Sequence, residues 1–179
     1  MSKNTKVNAA ILIIGNEILS GRTQDTNTST LAVWLNSNGV QVNEVRVIPD
    51  TKKIIIETLN VLRKNNDYVF TTGGIGPTHD DITAESVSEA FGLKYEIHPD
   101  AFKILESYYK QGEFNEGRQK MAWMPHNAKL ILNPTSGAPG FSIENVFCLP
   151  GVPSILKSML GSLKQNIIGG DPILSHTIS

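Results

Sequence analysis

At 179 residues, with 40% hydrophobic and 18% charged side chains, the chain has the make-up of one ordinary globular domain with a sizeable core. Sixteen Lys and Arg against seventeen Asp and Glu leave a net charge of −1. No basic surplus exists to hold a polyanion by counterion release, so nucleic acid is not expected as a partner. The single cysteine, Cys148, excludes an internal disulfide and a multi-thiolate zinc site.

The apolar run over residues 9–14, ended by Gly15, reads as a strand buried on both faces of a parallel sheet. It is too short to span a bilayer, and the polar residues before it do not make a secretion signal, so no membrane association and a cytoplasmic location are expected. Leu31, Trp34 and Leu35 recur at helical spacing before Gly39, which predicts a helix over residues 26–38. Residues 40–48 return to strand character, but the apolar positions Val40 and Val42, then Val45 and Val47, change phase midway and predict a loop or bulge in the early part. Asp50 is placed to cap a helix whose stripe is Ile55, Leu59 and Leu62, and a strand follows over residues 68–72. Another helix is expected from near Asp80 or Asp81, with Val87 and Phe91 inward and Gly92 as its stop.

A short strand over residues 93–97 precedes a helix opened by Pro99 and Asp100, with Phe102, Leu105 and Tyr109 on one face. Residues 111–127 carry Gly112, Gly117 and Pro125 without a convincing period, and read as an irregular excursion forming a lid or a small subdomain. Residues 129–132, 140–143 and 146–149 read as strands, the last two joined by a tight turn at Glu144-Asn145, with Cys148 as a buried strand thiol. Pro153 starts a final helix with the stripe Leu156, Met159, Leu160 and Leu163. This alternation predicts a single domain over residues 1–179, α/β in class, three layers deep (α/β/α), with a mostly parallel sheet. In such sheets ligands bind outside the carboxyl ends of the strands, where the chain order reverses.

The polar clusters fall just after predicted strands. The strongest is Thr71-Thr72-Gly73-Gly74-Ile75-Gly76-Pro77-Thr78-His79-Asp80-Asp81-Ile82-Thr83. Its glycines allow backbone amides to turn toward an anion while the following helix adds partial positive charge, so it fits a phosphate cradle; a tight strand-to-helix turn is the other reading. It is neither a Walker A loop nor a dinucleotide fingerprint. Asp80 and Asp81 exceed what one helix cap requires, and with Glu17, Asp25 and Asp50 from neighbouring connections they offer oxygen ligands for a hard divalent cation such as magnesium. Helix capping is the alternative for Asp25 and Asp50. His79 is either a site residue or an ordinary loop histidine. Lys120, in Gln119-Lys120-Met121-Ala122-Trp123, suits a phosphate, Trp123 also reads as core, and the 133–141 segment reads as a hairpin entry able to close over a ligand.

Taken in order, Gly15-Asn16-Glu17-Ile18-Leu19, Asp25-Thr26-Asn27, the 71–83 block, Gln119-Lys120-Met121-Ala122-Trp123, Ala138-Pro139-Gly140-Phe141 and Leu149-Pro150-Gly151-Val152-Pro153-Ser154 resemble the N-terminal domain of the competence/damage-inducible CinA family. That domain is similar to the molybdopterin-binding fold of MogA, MoaB and gephyrin. The resemblance implies a usually oligomeric protein, and Trp34, Tyr108 and Phe114 are candidates for exposed apolar surface. It implies phosphate or ligand contacts from Thr72, Gly73, Gly74, Gly76, Thr78, Lys120, Ser136, Gly137, Pro139 and Gly140. It also implies chemistry at Asp50, Asp80 and Asp81, with a divalent metal held by Glu17, Asp25, Asp80 and Asp81.

Two activities compete. CinA-type domains are associated with metal-dependent ADP-ribose pyrophosphatase activity, whereas molybdopterin adenylyltransferases of this fold use aspartates that look like Asp50 and Asp81; the Asp80-Asp81 pair and Glu17 favour the former. A ligand-sensing domain without turnover is a third reading. The chain departs from the family where Gly-Thr-Ala-Pro-Gly is Ser136-Gly137-Ala138-Pro139-Gly140, and where Pro-Ser-Glu-Met is Pro153-Ser154-Ile155-Leu156. The C-terminal deamidase domain of longer CinA proteins is not in this sequence, so nicotinamide-nucleotide deamidation is not expected. The segment from Asp171-Pro172 to Ser179 ends without an obvious terminal element, as expected of a shortened member of the family.

Overall fold

The computed structural model describes residues 6–170; the 171–179 segment lies outside the described residues. Strand β1 (Val7–Ile14) lies between β2 (Val40–Ile48) and β3 (Tyr68–Thr72), and the six-stranded sheet runs β2-β1-β3-β8-β7-β6, with β6 Lys129–Ile131, β7 Gly140–Ile143 and β8 Val146–Leu149. The first four strands in that order are mutually parallel, and β7 and β6 pair antiparallel at one edge. The sheet is mixed, as its sequence implies.

Side chains alternate across β1 and thereby divide the core. Ala10, Leu12 and Ile14 meet Ile55, Leu59 and Leu62 of α3 (Lys52–Asn65), Val87 of α4 (Thr83–Ala90) and Leu105 of α5 (Pro99–Tyr108). Ala9, Ile11 and Ile13 meet Leu31 and Leu35 of α2 (Asn27–Ser37) and all four stripe residues of α7 (Pro153–Leu163). The result is three layers. Phe70 and Phe147, directly opposite in the β3–β8 register, stack at 5.1 Å between ring centroids.

The phase change in β2 is a bulge: Ala9 pairs with Val42 and Ala10 with Glu44, leaving Asn43 as the extra residue. Other expectations are revised. The 93–97 strand is only Tyr95–Ile97 (β4), and it belongs to a separate two-stranded antiparallel sheet with Trp123–Pro125 (β5). Residues 111–127 are therefore not wholly irregular, since they contain α6 (Glu116–Lys120), capped by Asn115, as well as β5. Their small size hid both elements from any periodicity. Tyr109 lies beyond α5 in extended backbone and stacks on Phe114 at 6.0 Å. Of the aromatics expected at the surface, Tyr108 is exposed, whereas Trp34 and Phe114 pack partly buried against the two cores.

His98 occupies the N-cap of α5: its Nδ1 accepts from the Ala101 amide at 3.4 Å and its Nε2 lies 3.1 Å from the Ala128 carbonyl. Both ring nitrogens are thereby used for structure, and the neutral Nε2–H tautomer satisfies them. Cys148 is completely buried in β8, and desolvation pushes its thiol up to about 12. Native protein at pH 8 is expected to resist a thiol-specific disulfide reagent, with one equivalent reacting rapidly once denaturant is added; rapid reaction of the native protein would contradict this burial.

Candidate functional site

The parallel registers align the carboxyl ends of β1, β2, β3 and β8, through Ile14 opposite Ile48, Ile13 opposite Thr72, and Thr72 opposite Leu149. The chain leaves β1 to form β2 on one side and returns past it to form β3 on the other, so the order reverses at β1. The connections carrying Glu17, Asp50 and the 73–76 loop consequently emerge at one edge.

Gly73 and Gly74 have φ of 95° and 74°, a region that favours glycine. A Cβ on Gly73 would lie 2.2 Å from the Ile14 carbonyl oxygen, and one on Gly74 would lie 2.0 Å from the Thr83 hydroxyl. The loop is anchored at both ends: Gly73 N–H donates to the Leu149 carbonyl (3.1 Å), the Thr83 hydroxyl donates to the Gly73 carbonyl (2.9 Å), and Thr83 N–H donates to the Gly74 carbonyl (2.9 Å). Among the described residues, nothing accepts from the amides of Gly74, Ile75 or Gly76. Consecutive amides without internal partners make an anion-binding concavity. Thr83, fully buried at the start of α4, is a positioning residue whose role its place at the end of the motif alone did not disclose.

Asp81 does not cap α4. Its Oδ2 accepts from both the amide (2.9 Å) and the hydroxyl (2.7 Å) of Thr78, and a Cβ on Gly76 would lie 2.8 Å from that oxygen. The carboxylate therefore sits against the glycine loop. Lys120 donates to the Thr78 carbonyl at 2.6 Å, so α6 is tied to the same loop while the ammonium remains beside it. Asp80 pairs with the His79 ring at 2.5 Å, and both side chains are largely exposed.

Asp50 likewise does not cap its own helix, whose N-cap is Thr51. Instead its Oδ2 accepts from the Asn16 amide (3.1 Å) while its own amide donates to Asn16 Oδ1 (3.4 Å), a reciprocal clasp between the ends of β1 and β2. Burial raises the Asp50 carboxyl above the usual carboxylate range; the Asn16 amide opposes this, and the negative charges of Glu17, Asp81 and Asp80 add to it. Asp25 does cap: it accepts from the amides of Asn27 (2.9 Å) and Thr28 (3.3 Å) and bonds the Thr28 hydroxyl.

The four carboxylates expected to share a metal are thus divided, and among the described residues no three Asp, Glu, His or Cys groups converge as a preformed cage. Glu17 and Asp25 line one cleft with Thr72, Gly73 and Asn27; Asp81 and Lys120 line another with Gly74, Gly76, Tyr95 and Trp123. Asn27 is buried, its amide donates to the Gly151 carbonyl (2.9 Å), and its Oδ1 lacks a donor among the described residues. Burial pushes the Tyr95 phenol up to about 12, with Glu85 adding to the effect, so it stays neutral at the cleft wall.

Pro139 reaches the second cleft, but the other residues of its segment serve structure. The Ser136 hydroxyl is 2.6 Å from Asn133 Nδ2, Gly137 lies over the Tyr108 ring, and Gly140 begins β7, where a Cβ would lie 2.5 Å from the Cys148 carbonyl oxygen.

The family described as "Probable molybdopterin binding domain" matches residues 10–170. An Archaeoglobus fulgidus protein is 34% identical over 161 residues, covering 90% of this chain and 69% of its own length. A CinA-like protein from Citrifermentans bemidjiense is 37% identical over 157 residues, covering 84% of this chain but 38% of the relative, so the chain spans well under half of that protein. The crystal structure of the protein CinA from Thermoplasma acidophilum superposes with a TM-score of 0.85 at 35% identity, covering 93% of this chain and all of that one. The molybdopterin biosynthesis enzyme MoaB from Thermus thermophilus, at 18% identity, shares the fold with a TM-score of 0.62, covering 90% of this chain and 91% of its own. The chain belongs to the molybdopterin-binding-domain family and is a CinA-type N-terminal domain within it.

Proposed function

We propose that this domain hydrolyses the diphosphate linkage of ADP-ribose or a related adenine dinucleotide with the help of a divalent cation. The observation that carries the reading is the row of amides at Gly74, Ile75 and Gly76, without acceptors among the described residues, together with Asp50, whose ionised form is opposed by burial and by the negative charges of Glu17, Asp81 and Asp80. The amides favour a bound phosphate, and the crowded carboxylates favour a cation between themselves and that phosphate.

The donor set fits such an ion. Magnesium is held by one or two carboxylates completed by substrate phosphates and water, so a preformed cage of three protein groups is not required. Glu17 on one side of the loop, or Asp81 on the other, would hold it, with substrate phosphate and water completing its shell. Bound there, the cation would neutralise the diphosphate and favour ionisation of an attacking water. The chain's own work is to fix the phosphates on the loop amides, to present Lys120 to the leaving phosphate, and to accept the water proton on Asp81 or Asp50. Water oxygen joins one phosphorus as the P–O–P bond breaks, so ADP-ribose would yield AMP and ribose 5-phosphate.

Molybdopterin binding with adenylyl transfer is the second reading, supported by the family match and by the positions of Asp50 and Asp81. Incubation with ADP-ribose across a panel of divalent metals, set against molybdopterin plus ATP, separates the two; substrate binding without product in either arm identifies a non-catalytic domain. Asp81→Asn is expected to lower hydrolysis by roughly 10² or more. Its melting temperature should barely move, because the asparagine Oδ1 still accepts from Thr78. Full activity in that variant would remove Asp81 from the chemistry.

Asp50 provides a test through pH. Because its folded pKa is raised above the ordinary 3.8, ionising it opposes folding; the penalty is absent at lower pH, sets in as pH rises through the raised value, and persists above it. Asp50→Asn is therefore expected to melt higher than the parent at pH 7 and to lose that advantage near pH 3, while hydrolysis falls. Equal melting at pH 7 would show that the carboxylate carries no such penalty.

A further inference from the structure

The two clefts beside the glycine loop differ in chemistry, and consecutive residues separate them: Gly73 lines one, Gly74 the other. The Gly74 side is walled by Tyr95, Trp123, Phe141, Met121 and Ile75, with Asp81 and Lys120 as its charged groups. Tyr95 and Trp123 come from the small second sheet, their ring centroids 5.4 Å apart and tilted by 49°, and Trp123 keeps 37% of its surface exposed. The Gly73 side is lined by Glu17, Thr23, Gln24, Asp25 and Asn27, whose Oδ1 lacks a donor among the described residues.

We infer that the site is polar in direction: the planar heteroaromatic ring of the ligand stacks on the exposed part of Trp123 at the mouth of the Gly74 cleft, the sugar at the far end of the diphosphate lies at the mouth of the Gly73 cleft, and the diphosphate bridges the two over the loop. This rests on the phosphate-bridging part of the proposed function. A flat ring gains by stacking on an exposed indole and loses little by leaving water, whereas sugar hydroxyls placed against Phe141 and Met121 would forfeit hydrogen bonds. On the other side the unpaired Asn27 acceptor is oriented by its own chemistry: Nδ2 is committed to the Gly151 carbonyl, so Oδ1 faces the remaining direction and suits a hydroxyl donor. The reversed pose leaves that acceptor unmatched and an aromatic wall unused. The same ring chemistry belongs to adenine and to a pterin, and the choice between them is left to the probes.

Calorimetric titration of the intact chain with AMP, with neopterin monophosphate and with ribose 5-phosphate tests the direction, since none of these contains the scissile bond. For whichever ring-bearing probe binds, Trp123→Ala is expected to weaken binding by about tenfold or more, the size of one lost stacking contact. Trp123→Phe should hold it within about threefold, and both variants should leave ribose 5-phosphate unchanged. Asn27→Ala should weaken ribose 5-phosphate alone. Trp123 lies at the surface with 37% of its area exposed, so its variants are expected to keep the fold, and melting curves check this directly. Binding of AMP points to adenine and binding of the pterin points to a pterin ligand; either, with Trp123 dependence, upholds the direction. Indifference of both ring probes to Trp123→Ala overturns it, as does loss of ribose 5-phosphate binding in that variant or failure of both ring probes to bind. Trp123-dependent AMP binding without ADP-ribose turnover would end the hydrolase reading and leave the direction standing, whereas turnover with AMP binding indifferent to Trp123 would do the opposite.

Discussion

Everything at the candidate site depends on β1 being hydrogen-bonded to β2 on one side and to β3 on the other, all three parallel. Parallel pairing puts the ends of the strands at one edge, and burial on both faces makes β1 a continuous apolar run in which only its terminus can be polar. Gly15 and Gly73 follow those ends directly, and Asp50 follows β2 after Pro49. The Asn16–Asp50 clasp then ties β1 to β2, and the Gly73 amide ties β3 to the carbonyl of Leu149 on β8. The candidate site sits on backbone anchored by the sheet itself.

Charge at this edge is arranged against the interests of the folded chain alone. Asp50 is partly desolvated and feels the negative charges of Glu17, Asp81 and Asp80, relieved by one backbone amide. The Gly74, Ile75 and Gly76 amides, in the connection that follows β3 at the same edge of the sheet, find no acceptor among the described residues. Unmet donors and unmet charge of opposite sense at one edge are what the proposed diphosphate and its cation would satisfy. Other polar groups near the sheet are satisfied internally, among them the His98 cap and Asp25, whose oxygens close the first turn of α2.

Most of the sheet and its helices were legible because their signals are long or repeated: the run before Gly15, the stripe of α7, and the phase break that marks the β2 bulge. The small second sheet was not, since three-residue strands joined through sequence separations of about thirty residues carry no period of their own. At the site, the glycine loop and the neighbouring acids could be named, but their division could not. Nothing in the order Asp80-Asp81 tells that one carboxylate turns inward to Thr78 while the other pairs with His79 in solvent. Thr83 and Asn27 stand at the ends of recognised motifs, yet their meaning appears only when carbonyls distant in sequence, such as that of Gly151, come within reach.

The extra residue in β2 reaches further than the strand that contains it. Because side chains alternate, the insertion at Asn43 exchanges faces for everything downstream: Val45 and Val47 come to lie with Ile11 and Ile13, and Ile48 with Ile14. Two residues later the same phase delivers Asp50 to Asn16. A chain lacking Asn43 would have to turn Ile48 out of the helical layer it now fills, or twist back before Pro49 to restore the clasp. The orientation of an acidic group at the ligand edge is thus set seven residues upstream, by a backbone irregularity that touches no ligand, and insertions or deletions in this edge strand would act as changes to the site.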